Sequence, residues 1–169
     1  MSKKLTKKQL EEMVQSLAWN EGFGCYNRQG FENWKWPEIE EDARWIIFFD
    51  VDDMHELNKK YGYAGVNAIL KKCLATRGTD VVAGQWFSGD EFVICVRDGD
   101  PKRDESNPID FCIRLSQVLK ENEVSATFAI APVVSSDISV NVTPAHQLCQ
   151  EAKSHLQRGT ISIVPGDPR

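Results

Sequence analysis

The chain has 169 residues, 41% of them apolar and 27% charged, which specifies one globular domain with a sizeable core and excludes a short peptide scaffold or a disordered tail. Its 20 Lys+Arg against 25 Asp+Glu leave a formal charge of -5, so no diffuse positive field exists to hold DNA or RNA by counterion release. A small nucleotide carried on a metal is compatible with that balance.

In chain order, Thr6 and Gln9 make a capping-box pattern, and Leu10, Met13, Val14 and Leu17 follow at i, i+3, i+4 and i+7. This predicts one short amphipathic helix ending near Ala18, suited to docking or pairing. Gly22 and Gly24 signal a turn within Glu21 to Asn27. A second helical segment follows, which Pro37 must bound or interrupt, with Phe31, Trp34 and Trp36 packing it on the core. Arg44 to Val51 is a continuous aromatic and β-branched run, the mark of a strand buried on both faces. Helical stretches over Asp53 to Tyr61 and Ala64 to Thr76 are separated by Gly62 and Gly65. Asp80 to Phe87 and Glu91 to Val96 read as strands joined across Ser88-Gly89-Asp90. Beyond a polar loop over Asp98 to Pro108 come a helix from Ile109, a strand over Val124 to Val134, a helix over Thr143 to Gln157 and a last strand over Ile161 to Val164. The pattern is mixed α/β, a twisted sheet flanked by helices.

Cys25, Cys73, Cys95, Cys112 and Cys149 are odd in number and lack C-x-x-C spacing, which reads as free thiols packed as small core residues in a reducing compartment. The basic start, Met1 to Lys8, precedes amphipathic sequence, and the longest apolar run, Trp45 to Phe49, is too short to cross a bilayer. A soluble, cytoplasmic protein without a membrane partner is expected.

Asp50-Val51-Asp52-Asp53 closes the predicted buried strand, so Asp50 and Asp52 share one sheet face and the Val51 carbonyl lies between them. Ser88-Gly89-Asp90-Glu91 places two more carboxylates at the hairpin. If these strands are neighbours, Asp50 meets Asp90 or Glu91 at one end of the sheet. Oxygen donors at that density suit Mg²⁺ or Mn²⁺. Taken singly, each acidic pair reads as solvated charge at a strand end, whereas two clusters on adjoining elements point to a site.

Phe49-Asp50-Val51-Asp52-Asp53-Met54-His55-Glu56-Leu57-Asn58-Lys59-Lys60-Tyr61-Gly62 resembles the strand-helix segment of GGDEF domains, and Phe87-Ser88-Gly89-Asp90-Glu91-Phe92 resembles their signature hairpin. Asn27-Arg28-Gln29-Gly30-Phe31 is similar to the family's N-R-R-x-F, Thr127 to Ala131 to its S-x-G-x-A strand, and Ala145 to Lys153 to its A-D-x-A-L-Y-x-A-K helix. The resemblance implies a GGDEF or palm-like fold with a hairpin active site, an N-terminal helix over 1–19 and a catalytic domain over 20–169. It also implies a nucleotidyl cyclase that joins two nucleoside triphosphates (GTP, with ATP open), one per subunit of a homodimer, into a cyclic dinucleotide with release of pyrophosphate. The family's usual product is cyclic di-GMP. By the same resemblance, Asp50, the Val51 carbonyl and Asp90 would hold Mg²⁺ or Mn²⁺, with Glu91 beside them as ligand or proton acceptor. Asp50, Asp90 and Glu91 form the implied catalytic set. Asn58 and Asn67 would meet the base, and Ser88, Gly89, Lys153 and His55 the phosphates. Regulation would come from a partner, the first helix or concentration.

The sequence departs from the family at several of these places. Ser88 replaces the first signature glycine, and Asn67 replaces a base-reading Asp. His55 stands where a phosphate-contacting Lys is usual, Trp86 replaces an Arg just before the signature, and Arg158 lies one residue beyond its family position. Arg77-Gly78-Thr79-Asp80 looks like the product-inhibition motif R-x-x-D at a shifted spacing, so no inhibitory site is expected. His146 and His155 are not at metal-ligand spacing, and the chain lacks P-loop, zincin and nucleophile-elbow motifs. Two other readings stay open: a degenerate nucleotide-binding signalling module, and a CRISPR-type minimal palm cyclase with an adenine-containing product.

Overall fold

Thr6 starts α1 (Lys7–Ala18) as its capping box predicts: its hydroxyl accepts from the Gln9 N–H at 3.2 Å, and the Gln9 side chain accepts from the Thr6 N–H at 2.9 Å. The computed structural model describes residues 4–76, 81–87, 89–97 and 107–169. Leu10, Met13, Val14 and Leu17 are all exposed, and within α1 only Ala18 is buried, so the apolar stripe is not packed on the chain's own core.

The Gly22–Gly24 turn joins two short strands the pattern did not reveal, β1 (Trp19–Asn20) and β2 (Cys25–Tyr26), paired antiparallel. Next comes a helical run of α2 (Arg28–Gly30), a π-helical stretch over Phe31–Lys35 and α3 (Trp36–Ile39). Pro37 falls where the π-helical stretch passes into α3, and since Lys35 and Trp36 before it are right-handed helical, it interrupts a continuous helical run rather than starting one. The remaining elements are β3 (Ala43–Val51), α4 (Met54–Leu74), β4 (Val81–Gln85), β5 (Glu91–Arg97), α5 (Pro108–Glu121), β6 (Ala126–Pro132), α6 (Ile138–Ser154) and β7 (Ile161–Ile163). The two helices expected over 53–76 are continuous except at Gly62, whose φ of 73° and ψ of 162° break the axis. Helix α6 begins at Ile138 rather than Thr143, because the Asp137 side chain caps it by accepting from the Ser139 N–H, and Pro144 is carried inside it. The Arg77–Asp80 motif and residues 98–106 of the predicted loop lie outside the described residues.

The seven strands order as β1-β2-β4-β5-β3-β6-β7, with β3 antiparallel to both β5 and β6. Both faces of β3 are covered, which is why its sequence is continuously apolar. On one face Phe49 packs with Phe92, Phe128 and residues of α4 and α5. On the other, Phe48 and Val93 pack with Phe31, Trp36, Trp86 and the inner side of α6. Gly84 on β4 is needed where the π-helical stretch presses in, since a Cβ there would lie 2.7 Å from the Phe31 side chain. All five cysteines are buried and none is in a disulfide, and burial pushes the Cys95, Cys112 and Cys149 thiols up to about 12, as expected of inert core residues. Among the described residues no helix is long and apolar enough to cross a membrane.

Candidate active site

Strands β3 and β5 are neighbours in the register that brings Asp50 opposite Glu91, and the Val51 N–H donates to the Asp90 carbonyl at 2.8 Å. Asp50, Val51, Asp90 and Glu91 therefore meet at one end of the sheet, as the spacing requires. Side-chain alternation turns Phe48, Asp50 and Asp52 toward α6. Both aspartates are buried, Asp50 at 6% and Asp52 at 3% exposure, so neither is a solvated strand-end charge. Asp52 is anchored to the edge of β6: Thr127 Oγ1 donates to one carboxylate oxygen at 2.8 Å and Ser125 Oγ to the other at 2.7 Å. It ties two strands together, while the carboxylates of Asp50 and Glu91 are held more loosely.

Helix α6 meets these carboxylates with three side chains at i, i+4 and i+7 of one face. His146 Nε2 lies 3.7 Å from Glu91 Oε1, and its ring packs against Phe48 and Phe87 with centroids 4.9 and 5.5 Å away. Gln150 donates to Asp50 Oδ2 at 3.3 Å. The Lys153 ammonium sits 3.0 Å from Asp50 Oδ1, 3.3 Å from Asp52 Oδ1 and 3.5 Å from the Val51 carbonyl oxygen. Lys153, which the sequence places among the phosphate contacts, rests here on the carboxylates. His146 and Gln150 were not read from the sequence as site residues. Their spacing to Lys153 was the available signal, but it identifies a functional face only once α6 is docked on β3.

Burial holds the Asp50 carboxyl above the usual carboxylate range, with the nearby Asp90 charge adding to it and Lys153 opposing it. Glu91 is raised for the same first reason, then by the charges of Asp50 and Asp90. Burial disfavours the Lys153 ammonium, yet Asp50 and Asp52 outweigh it and raise its pKa. Glu91 Oε2 is buried without a hydrogen-bond partner among the described residues. A concentrated negative charge with an unsatisfied oxygen fits a divalent cation, whereas the Lys153 ammonium already balances part of that charge at Asp50 and Asp52. Among the described residues no three His, Cys, Asp or Glu side chains close into a metal cage.

Asn58 and Asn67 are half-buried on α4 on either side of the Gly62 break, and among the described residues neither amide makes a hydrogen bond. The Asn67 amide nitrogen faces Gly22, 3.5 Å from the place of a Cβ there. His55 is exposed on the first turn of α4. Gly89 is exposed, and a Cβ on it would find its nearest neighbour, Phe23, at 3.9 Å, so its backbone is open to a ligand. Ser88 lies outside the described residues. Arg158 is bonded to Asp53, which caps α4 in a left-handed conformation at φ 53°.

No family model matches the chain, and no curated protein matches it in sequence. Solved structures do. A microbial GGDEF domain, described for its interaction with bis-(3′,5′)-cyclic di-GMP, superposes with a TM-score of 0.69 at 18% identity, covering 88% of this chain and 99% of that one. The diguanylate cyclase SiaD of Pseudomonas aeruginosa, solved with its activator SiaC, gives 0.71 at 15% identity over 93% of this chain and 66% of that one. A diguanylate cyclase/phosphodiesterase from Caldicellulosiruptor saccharolyticus gives 0.61 at 20% identity over 89% and 96%. The fold is that of GGDEF domains.

Proposed function

We propose that this chain, folded as a GGDEF domain, joins two nucleoside triphosphates into a cyclic dinucleotide with release of pyrophosphate, acting as a homodimer in the cytoplasm. The observation that carries the reading is the β3–β5 register, which gathers Asp50, the Val51 carbonyl, Asp90 and Glu91 at one sheet end. Mg²⁺ or Mn²⁺ held by Asp50, Val51 and Asp90 would neutralise triphosphate charge and polarise the attacking hydroxyl. Glu91, whose Oε2 has no hydrogen-bond partner among the described residues and whose pKa is raised by burial, is suited to take the 3′-hydroxyl proton as the bond from O3′ to the α-phosphorus forms and the bond to pyrophosphate breaks. Asn58 and Asn67 carry amides without a hydrogen bond among the described residues, suited to meet a base. An amide offers one donor and one acceptor, which adenine satisfies through N6–H and N1 and guanine through N1–H and O6, so GTP and ATP are both substrates in this reading. The open backbone at Gly89, with Ser88 and His55, lines the approach of the phosphates. Each subunit holds one triphosphate, and a facing copy supplies the second.

A nucleotide-binding module without turnover is the second reading. It is favoured by the Lys153 ammonium, which already occupies the oxygens that a metal would take. Incubation of the purified protein with Mn²⁺ and GTP, ATP or both, followed by mass spectrometry, separates the two. A cyclic dinucleotide supports the synthase, nucleotide binding without product supports the silent module, and neither binding nor product overturns both.

A further inference from the structure

Arg28, the first residue of α2, makes none of the contacts at the carboxylate cluster, and its guanidinium is held against the signature hairpin. Its Cζ lies 4.5 Å over the Trp86 ring and 4.3 Å over the Phe87 ring. Trp86 is the cross-strand neighbour of Glu91, donating its N–H to the Glu91 carbonyl at 2.9 Å. Phe87, 58% exposed, also meets the His146 ring, and His146 in turn stands 3.7 Å from Glu91. Two aromatic side chains thus hold a cation beside the carboxylate end of the sheet.

The charge inventory at that end gives this cation a purpose. Asp50, Asp52, Asp90 and Glu91 bring four carboxyl groups, Lys153 rests on two of them, and Arg158 is engaged by Asp53. A triphosphate arriving there needs positive charge beyond its metal. Arg28 meets Glu32 through Nε at 3.5 Å, an ion pair rather than a close bidentate fork, and its side chain is 36% exposed. A planar guanidinium stacked on aromatic faces loses little freedom on binding, and its fork matches two phosphate oxygens.

We propose that Arg28, clamped by Trp86 and Phe87, is a polyphosphate-binding residue that takes the β- and γ-phosphate oxygens of a nucleoside triphosphate at the Asp50–Glu91 end of the sheet. The assignment rests on the reading of that end as a nucleotide site.

The test is calorimetric binding of GTP and GMP, each with Mg²⁺, to the full chain and to Arg28→Gln and Arg28→Lys. Arg28→Gln should lose about tenfold or more in GTP affinity while GMP affinity changes less than about twofold, with Arg28→Lys between the parent and Arg28→Gln. Equal losses for GTP and GMP, or none, overturn the assignment and reduce Arg28 to a packing staple. A second measurement needs no Arg28 variant. The part of the tryptophan fluorescence that Trp86→Phe removes should change when the parent is titrated with GTP or with pyrophosphate, and not with GMP. A signal indifferent to phosphate number also overturns it. If the parent binds no GTP, the nucleotide-site reading fails and this assignment with it; if the parent binds GTP and Arg28→Gln binds it equally, only the assignment fails.

Discussion

Asp90 and Asp50 stand at a strand end and a turn, where removing a carboxylate deletes charge and little core volume. Asp50→Ala and Asp90→Ala should each lower product formation about a hundredfold or more and change stability by less than about 2 kcal/mol, read by mass spectrometry and denaturant titration. Retained turnover in either variant removes that residue from the site. Glu91 carries a signed expectation. Its folded pKa is raised by burial and neighbouring carboxylates, so the folded state binds a proton more tightly than the unfolded chain. The stability that this proton contributes is full below the ordinary Glu value and is lost as pH rises through the raised one. Glu91→Gln should therefore be at least as stable as the parent at pH 7, with a flatter dependence between about pH 4 and 7, as measured by melting temperature. A variant less stable at pH 7 than at pH 4, relative to the parent, contradicts the raised pKa. At Asn67, Asn67→Asp should shift the GTP-to-ATP ratio of incorporated nucleotides toward GTP by about 1–3 kcal/mol, since a carboxylate accepts two guanine donors and repels adenine N1. An unchanged ratio means that Asn67 does not read the base.

Helix α4 is two helical stretches made one by hydrogen bonding, and Gly62 carries the discontinuity between them. Its φ of 73° with ψ of 162° belongs to a region open to glycine almost alone, while a Cβ there would meet nothing within 4 Å. The cost of Gly62→Ala is thus purely backbone, about 1–3 kcal/mol by chemical denaturation. Because Asn58 and Asn67 sit on opposite sides of the break, a straightened helix should also weaken nucleotide affinity. A fully stable Gly62→Ala would mean the break is not required. Helix α6 is the complementary case: it has no break at the site, and its 3.6-residue period alone aligns His146, Gln150 and Lys153 over Glu91 and Asp50.

Over the whole molecule, the carboxylate end holds one set of site residues, and α1 leaves Leu10, Met13, Val14 and Leu17 exposed along one face. Two copies facing each other would complete the reaction, so specific activity should rise with enzyme concentration in the range where sedimentation detects a dimer. Concentration-independent turnover by a monomer contradicts the homodimer. Deleting 1–18 should move that dependence to higher concentration if α1 pairs subunits, and an unchanged profile would confine α1 to its own chain.

Local chemistry in the sequence determined most of the elements and which carboxylates stand at the ends of β3 and β5. Thr6 with Gln9, the doubly buried run before Asp50, the glycine break at Gly62 and the hairpin around Gly89-Asp90 are patterns within a few residues, and each one is legible because side-chain period and capping are local. The proximity of Asp50 to Glu91 followed as soon as the two strands were taken as neighbours. Only the tertiary structure decided which partner each charge found. Asp52 went to Ser125 and Thr127, Lys153 went to Asp50 and Asp52, and His146, one of two histidines on the same helical stretch, came to Glu91. Arg28 reached Trp86 and Phe87 because Gly84 lets the π-helical stretch press onto β4. The β1–β2 ladder, two residues in each strand, is too short to show a period and exists because β4 offers β2 an edge. A charge placed by its own element is written in the sequence; a charge neutralised across elements depends on docking, which no local pattern encodes.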